Sequence, residues 1–348
     1  MSSRPLDVPL SVLDLAPVGE GTTPADALLA SLDLVQATEH LGYHRYWVAE
    51  HHNMPGIASS SPAVLLAHLA SVTARIRLGS GGVMLPNHAP LVIAEQFGML
   101  EALHPGRIDL GIGRAPGTDQ LTASALRRSL GGLREPDLPQ LLGELLGFFN
   151  GTFPEDHPYR QITAVPALGY QPAIWLLGSS DYSAQLAGML GLPFSFAHHF
   201  MAANTLPALE AYRRAFRPSP VLEEPYVMLG VAVTCADTHE RARWLSKPAD
   251  LAFLRLRQGR PGPYPSPESA ASYSFTPAER EAIRSWGSSR IDGDPDTVRD
   301  ELTALVDRTG ADELMVTTLL HSPADRLRSY ELVADLAGIT GPQVAAVD

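Results

Sequence analysis

Short apolar runs rich in β-branched residues alternate with longer amphipathic stretches along most of the chain. Runs of that kind suit strands buried on both faces, and the longer stretches suit crossover helices, so the alternation predicts a parallel sheet wrapped by helices. Eight candidate strands are legible, over 10–18, 45–49, 76–85, 107–113, 173–177, 194–197, 226–235 and 313–318. Eight strands at this spacing favour closure into a (β/α)8 TIM barrel, because open doubly wound sheets more often stop at about five to seven. The helices carry start and stop signals. Thr23-Pro24 opens one over 25–41 that Gly42 ends, Ser61-Pro62 opens 63–73, and Asp294-Pro295 opens 297–309, while His104-Pro105-Gly106 ends 89–103. A hydroxyl or carboxylate at each start accepts an orphan amide hydrogen, and Pro in the first turn gives up no bond the helix needs. Between 258 and 290 the pattern breaks, with Pro, Gly and Ser dominating around Pro261-Gly262-Pro263. Placed after the seventh strand, this insertion belongs over the barrel's C-terminal mouth and reads as a mobile lid or an inert surface loop.

Composition narrows the class. With 348 residues and 45% hydrophobic content, the chain can bury one large core, so 1–348 reads as a single barrel domain. A balance of 26 basic against 38 acidic residues leaves a net charge of −12, which disfavours nucleic acid and anionic lipid as partners. The single cysteine, Cys235, permits no internal disulfide and points to a reducing compartment, with the cytoplasm as the default. The first twenty residues lack a signal-peptide core, and no run reaches the roughly eighteen apolar residues of a membrane span.

Candidate chemistry collects at predicted strand ends. Glu50-His51-His52 follows the second strand directly, which puts a carboxylate and two imidazoles at the catalytic rim. Imidazole titrates near neutrality and moves protons, although a structural Glu–His hydrogen bond fits the same residues. His198-His199 ends the sixth strand, but neighbours on a strand face opposite ways, so each pair offers at most one ligand toward the axis and a catalytic metal is disfavoured. Gly79-Ser80-Gly81-Gly82 lies inside a strand that continues to Leu85, so it is not the glycine turn of a dinucleotide-binding unit. Gly81 and Gly82 mark a bulge against a flat ligand or a tightly packed stretch of barrel. Arg114 puts a guanidinium at the end of the fourth strand. Ser179-Ser180-Asp181-Tyr182-Ser183 runs into a helix whose free amides suit an anion, or which Ser180 or Asp181 simply caps. Together they suggest a monophosphate pocket.

In this order the segments resemble the luciferase-like flavin monooxygenases over nearly the whole chain. The resemblance implies that the catalytic histidine falls on His51, within Trp47 to His52, and that a non-proline cis peptide lies at Gly81-Gly82 against the flavin ring. It also implies that Arg114 and Ser179 to Ser183 hold the FMN phosphate. Reduced FMN would then come from a separate flavin reductase, and dioxygen would be the co-substrate. A homodimer is implied too, consistent with apolar helices over 63–73 and 91–103. Light-emitting relatives carry a reactive cysteine where this chain has Gly113, so luminescence is not implied. The wording Gly113 to Asp119, with Ala197-His198-His199-Phe200, is similar to monooxygenases of actinomycete aromatic polyketide pathways. A deazaflavin-dependent hydride-transfer enzyme, a non-catalytic flavin carrier and a phosphate-sugar barrel enzyme stay open as alternatives.

Overall fold

A computed structural model of the protein describes residues 6–115, 117–127, 137–339 and 341; Pro116, part of the stretch after Arg114, lies outside them. The strands are β1 (Leu10–Asp14), β2 (Arg45–Val48), β3 (Arg77–Met84), β4 (Ile108–Gly113), β5 (Ala173–Gly178), β6 (Phe194–Phe196), β7 (Val227–Cys235), β8 (Ile291–Gly293) and β9 (Glu313–Thr317). All their pairings are parallel. They run β6-β5-β4-β3-β2-β1-β9-β7, and a β6–β7 pairing closes the ring. The eight-stranded barrel is thus present, with β9 as its eighth stave. β8 was not foreseen; its three residues pair only with the end of β7. The expected first strand is also too long, because Ala16 takes a left-handed φ of 47° and ends the ladder soon after Asp14.

Strand alternation sorts the apolar residues into two cores. Val12, Tyr46, Val48, Leu78, Leu110, Leu176 and Val316 face outward and join the large core beneath the helices. Leu13, Leu15, Trp47, Ala49, Trp175, Met228 and Met315 face inward and fill the barrel. Below that inner layer the interior is ionic. Arg45 reaches Asp109 at 2.9 Å and Glu313 at 3.0 Å, and Arg77 reaches Asp109 at 2.6 Å. Trp47 donates its indole N–H to the same Asp109 at 3.0 Å, which satisfies its polar end inside an apolar layer. A Cβ on Gly79 would sit 2.6 Å from that indole nitrogen, so only glycine leaves room for Trp47.

The signals at Thr23 and Asp294 operate as read, whereas Ser61 precedes Pro62–Ser71 without a side-chain capping bond. The helix Pro24–Leu41 starts with a capping box between Thr23 and Asp26 and ends at Gly42, whose φ of 93° glycine adopts without strain. Asp294 caps Pro295–Thr309. The insertion after β7 is more ordered in outline than its composition suggests. It follows the helix His239–Arg257 and contains two helices, Pro267–Ser272 and Pro277–Trp286. Tyr264 anchors it to the loop after β1, donating its amide to the Val18 carbonyl (2.7 Å) and accepting from the Glu20 amide (2.8 Å). Among the described residues, no helix is long and apolar enough to cross a membrane.

Candidate active site

A cavity of about 230 Å³ lies at the mouth of the barrel, around the C-terminal ends of the strands. His51, Gly81, Gly82, Arg114, Ser179, Ser180 and Ser183 all line it, above the inner-core side chains of Leu13, Trp47 and Met315. Residues far apart in sequence therefore converge as barrel topology requires.

His51 is held by its backbone, whose amide donates to the Ser59 carbonyl at 3.0 Å. Its ring atom Nδ1 is buried without a hydrogen-bond partner. Burial depresses the imidazole pKa, and the neighbouring Glu50 carboxylate only partly offsets this, so His51 is neutral near pH 7. His52 and Glu50 do not line the cavity. The Glu50 carboxylate is fully buried and accepts from four groups: His52 Nε2 (2.9 Å), His88 Nε2 (2.9 Å), the Met84 amide (3.0 Å) and Asn87 Nδ2 (3.4 Å). Burial alone would raise its pKa, but these bonds together lower it, with His88 the largest favourable contributor. Glu50 thus ties the rim after β2 to the rim after β3.

The Gly81-Gly82 peptide is cis, as the resemblance implied, and the β3–β4 register shifts there. A Cβ on Gly81 would lie 2.6 Å from Leu13 and one on Gly82 2.8 Å from the Gly111 carbonyl oxygen. The barrel's own packing therefore excludes side chains at both positions, and the same two residues form cavity wall.

Arg114 is exposed at the rim, its guanidinium 4.8 Å above the Tyr182 ring. Tyr182 itself is about two-fifths exposed and does not line the cavity; it shelves Arg114 instead. Ser180 is the N-cap of Asp181–Leu190, yet its hydroxyl makes no capping bond. The first-turn amides therefore lack a side-chain cap from Ser180, the arrangement in which a helix N-terminus suits an anion.

His199, for which the sequence carried no catalytic or binding assignment, is a cavity residue. Its Nδ1 lies 2.9 Å from the Gly230 carbonyl, which can only accept, so Nδ1 carries the hydrogen. Burial pushes its pKa down to about 4. His88, whose ring meets Glu50, sits four residues beyond the end of β3 at Met84, after a 3-10 turn over Leu85–Asn87, so it carried no strand-end signal. The apolar floor was readable, since Leu13/Leu15 and Trp47/Ala49 alternate with outward-facing neighbours. Among the described residues, no group of three or more His, Cys, Asp or Glu is placed to hold a metal ion.

The closed parallel barrel, with His51, Arg114 and the helix start at Ser180 lining one mouth cavity, defines a (β/α)8-barrel protein whose candidate site lies at the C-terminal ends of its strands. The family model described as luciferase-like monooxygenase matches residues 8–313, and the chain belongs to that family of oxidoreductases. The uncharacterized protein YvbT of Bacillus subtilis is 51% identical over 330 residues, 95% of this chain and 97% of that one. A luciferase-like monooxygenase of Escherichia coli K12 is 46% identical over 329 residues, 94% and 97% of the two chains. The solved structure of apo-MsnO8 has 39% identity and a TM-score of 0.84, covering 96% of this chain and 98% of that one. More distant structures share the fold alone. They include an FMN complex of the oxygenating constituent of 3,6-diketocamphane monooxygenase from Pseudomonas putida (20% identity, TM-score 0.72) and an F420-dependent secondary alcohol dehydrogenase (13%, 0.67).

Proposed function

We propose that this protein is a monooxygenase that takes reduced FMN from a separate flavin reductase and uses it with dioxygen to oxygenate a small organic substrate. The observation that carries the reading is the convergence of His51, Arg114 and the uncapped Ser180 helix start on one cavity over an apolar floor. Reduced FMN, when bound, supplies the electrons that activate dioxygen. Arg114 and the Ser179–Ser183 segment hold its phosphate, while Leu13, Trp47, Leu177 and Met315 keep the ring's surroundings dry. His51, neutral and facing the cavity, accepts or returns a proton at its imidazole. The insertion over 258–290 lies against the loops after β1 and β2 and excludes water from the mouth. Hydroxylation and epoxidation both suit this arrangement.

Oxygen uptake with photoreduced FMN, and incorporation of labelled dioxygen into product, tests the reaction. A deazaflavin hydride-transfer enzyme would bind its cofactor and consume no oxygen, and that result would overturn the proposal. The phosphate assignment has its own test. Charge-assisted hydrogen bonds are worth roughly 1.5–3 kcal/mol each, so riboflavin should bind at least about tenfold more weakly than FMN. Equal affinities would remove Arg114 and Ser180 from the pocket.

We further propose a homodimer. The helices Pro62–Ser71 and Pro90–Leu103 leave Val64, Val92, Met99 and Leu103 exposed, the first and last at 68%, beyond what the barrel needs from their inner faces. Sedimentation at micromolar concentration should show twice the 37.4 kDa chain mass, and a purely monomeric species would reject the dimer.

A further inference from the structure

A second chamber of about 100 Å³ adjoins the cavity just described, and Leu15, His199 and Phe200 belong to the walls of both. Its own walls are mainly apolar: Ala232, Val233, Ala249, Leu319 and the Trp286 ring. Trp286 and Arg290 come from the end of the insertion, and Trp286 is held by stacking on Phe253 at 4.4 Å. Polar groups interrupt this lining at a few points. Thr317, on β9, is buried and its hydroxyl has no hydrogen-bond partner. His199 spends its Nδ1 hydrogen on Gly230, which leaves Nε2 as an acceptor with no partner among the described residues. Arg290 and Asp292 both line the chamber; Asp250 at 2.7 Å and Asp292 at 3.9 Å oppose the guanidinium charge, although its Nε and Nη1 have no hydrogen-bond partner among the described residues. A carboxylate arriving there would meet two aspartates for one guanidinium.

We propose that this chamber holds the substrate, an uncharged and largely apolar molecule that presents a hydroxyl group to His199 Nε2, with Thr317 as the second polar contact. The inference rests on the monooxygenase reading for its purpose, since the shared wall of His199 and Phe200 puts such a molecule beside the cofactor cavity. The recognition itself is independent of that reading. An acceptor buried against a ligand that offers no donor loses its bond to water without replacement, so an ether should bind less well than the matching alcohol.

The test uses phenol, anisole and benzoate as probes, single rings matched to the small chamber, titrated into the full-length protein and followed by calorimetry. The alcohol should bind about tenfold more tightly than the ether, and the carboxylate most weakly. His199→Phe should abolish the preference for the alcohol, and His199→Gln, which restores an acceptor oxygen, should recover part of it. Should the His199 variants not fold, Thr317→Val removes the other polar contact at nearly constant shape; it should narrow the preference while leaving FMN affinity at the wild-type value. Equal binding of alcohol and ether, a preference that survives both His199→Phe and Thr317→Val, tightest binding of the carboxylate, or no saturable binding of any probe would each overturn the assignment. FMN is titrated separately, so loss of the cofactor reading with retained probe selectivity, or the reverse, would be visible.

Discussion

His51→Ala is expected to leave the barrel folded and FMN bound while oxygenated product falls about 10²–10⁴-fold, the usual contribution of a positioned acid–base group. The fold is spared because the loop is held by the His51 backbone amide on Ser59, not by the side chain. The chemistry is not spared, because this imidazole faces the cavity and its neighbour does not. Uncoupled turnover should rise in parallel, read as hydrogen peroxide released per reduced FMN consumed. The pH dependence has a definite sign. Burial depresses the folded-state pKa below the ordinary 6.5, so the neutral, proton-accepting form persists as pH falls through that value. The acid limb of product formation should accordingly lie below pH 6.5, and His51→Ala should erase it. His52→Ala is the control, since His52 is committed to Glu50 at 2.9 Å. Wild-type yield in His51→Ala with loss in His52→Ala would reverse the facing. Wild-type yield in both would remove the motif from proton handling.

Acid stability should report His199 in the same way. Its pKa of about 4 in the folded protein against an ordinary 6.5 means that the unfolded chain takes up the proton first. The stabilisation is complete above pH 6.5 and is lost as pH falls toward 4, by roughly 3 kcal/mol at most. Denaturant unfolding of wild type and His199→Phe across that range would show it, and parallel pH dependences for the two would exclude it.

Much of this architecture is legible in the sequence because it rests on local physics. Apolar runs, capping residues and terminating glycines act within a few residues, so strand order and helix ends such as Thr23 and Gly42 follow directly. The mouth was legible for a related reason: in a parallel barrel every strand's C-terminal end lies on one rim, so naming the residues after each strand names the site. What was hidden depends on partners distant in sequence. The facing of Glu50 looks catalytic from its place beside His51, and only contact with Met84 and His88, more than thirty positions away, shows it occupied. His199 was obscured by a histidine pair that suggested metal ligation, whereas Gly230 decides its tautomer. β8 was missed because three residues carry too little periodicity to register, and the two helices inside the 258–290 insertion because the surrounding Pro and Gly mask them.

Glu50→Ala is expected to destabilise the protein by about 3 kcal/mol and to lower product formation in the molecules that remain folded. The carboxylate is fully buried and joins two loop rims, so its removal strands the Met84 amide and two imidazoles together, and each buried group left unpaired costs about 1–3 kcal/mol. Glu50→Gln is a milder probe with a distinct signature. Its amide oxygen can still accept from a histidine, but its NH2 must confront a donor at the position where Oε2 now accepts from Met84. Linkage gives the direction with pH: the folded-state pKa is lowered from 4.5, so the stabilisation is present above that value and disappears as pH falls through the lower, folded one. Glu50→Ala should therefore lose this acid-induced component of unfolding. The positioning role is separable from the structural one, because a purely structural Glu50 would change the fraction folded and nothing else. If it aims His51, kcat per folded molecule falls and the acid limb assigned to His51 moves further below pH 6.5, because the carboxylate that partly offsets its burial is gone. An unchanged kcat per folded molecule and an unmoved pH profile would reduce Glu50 to a stitch between two loops.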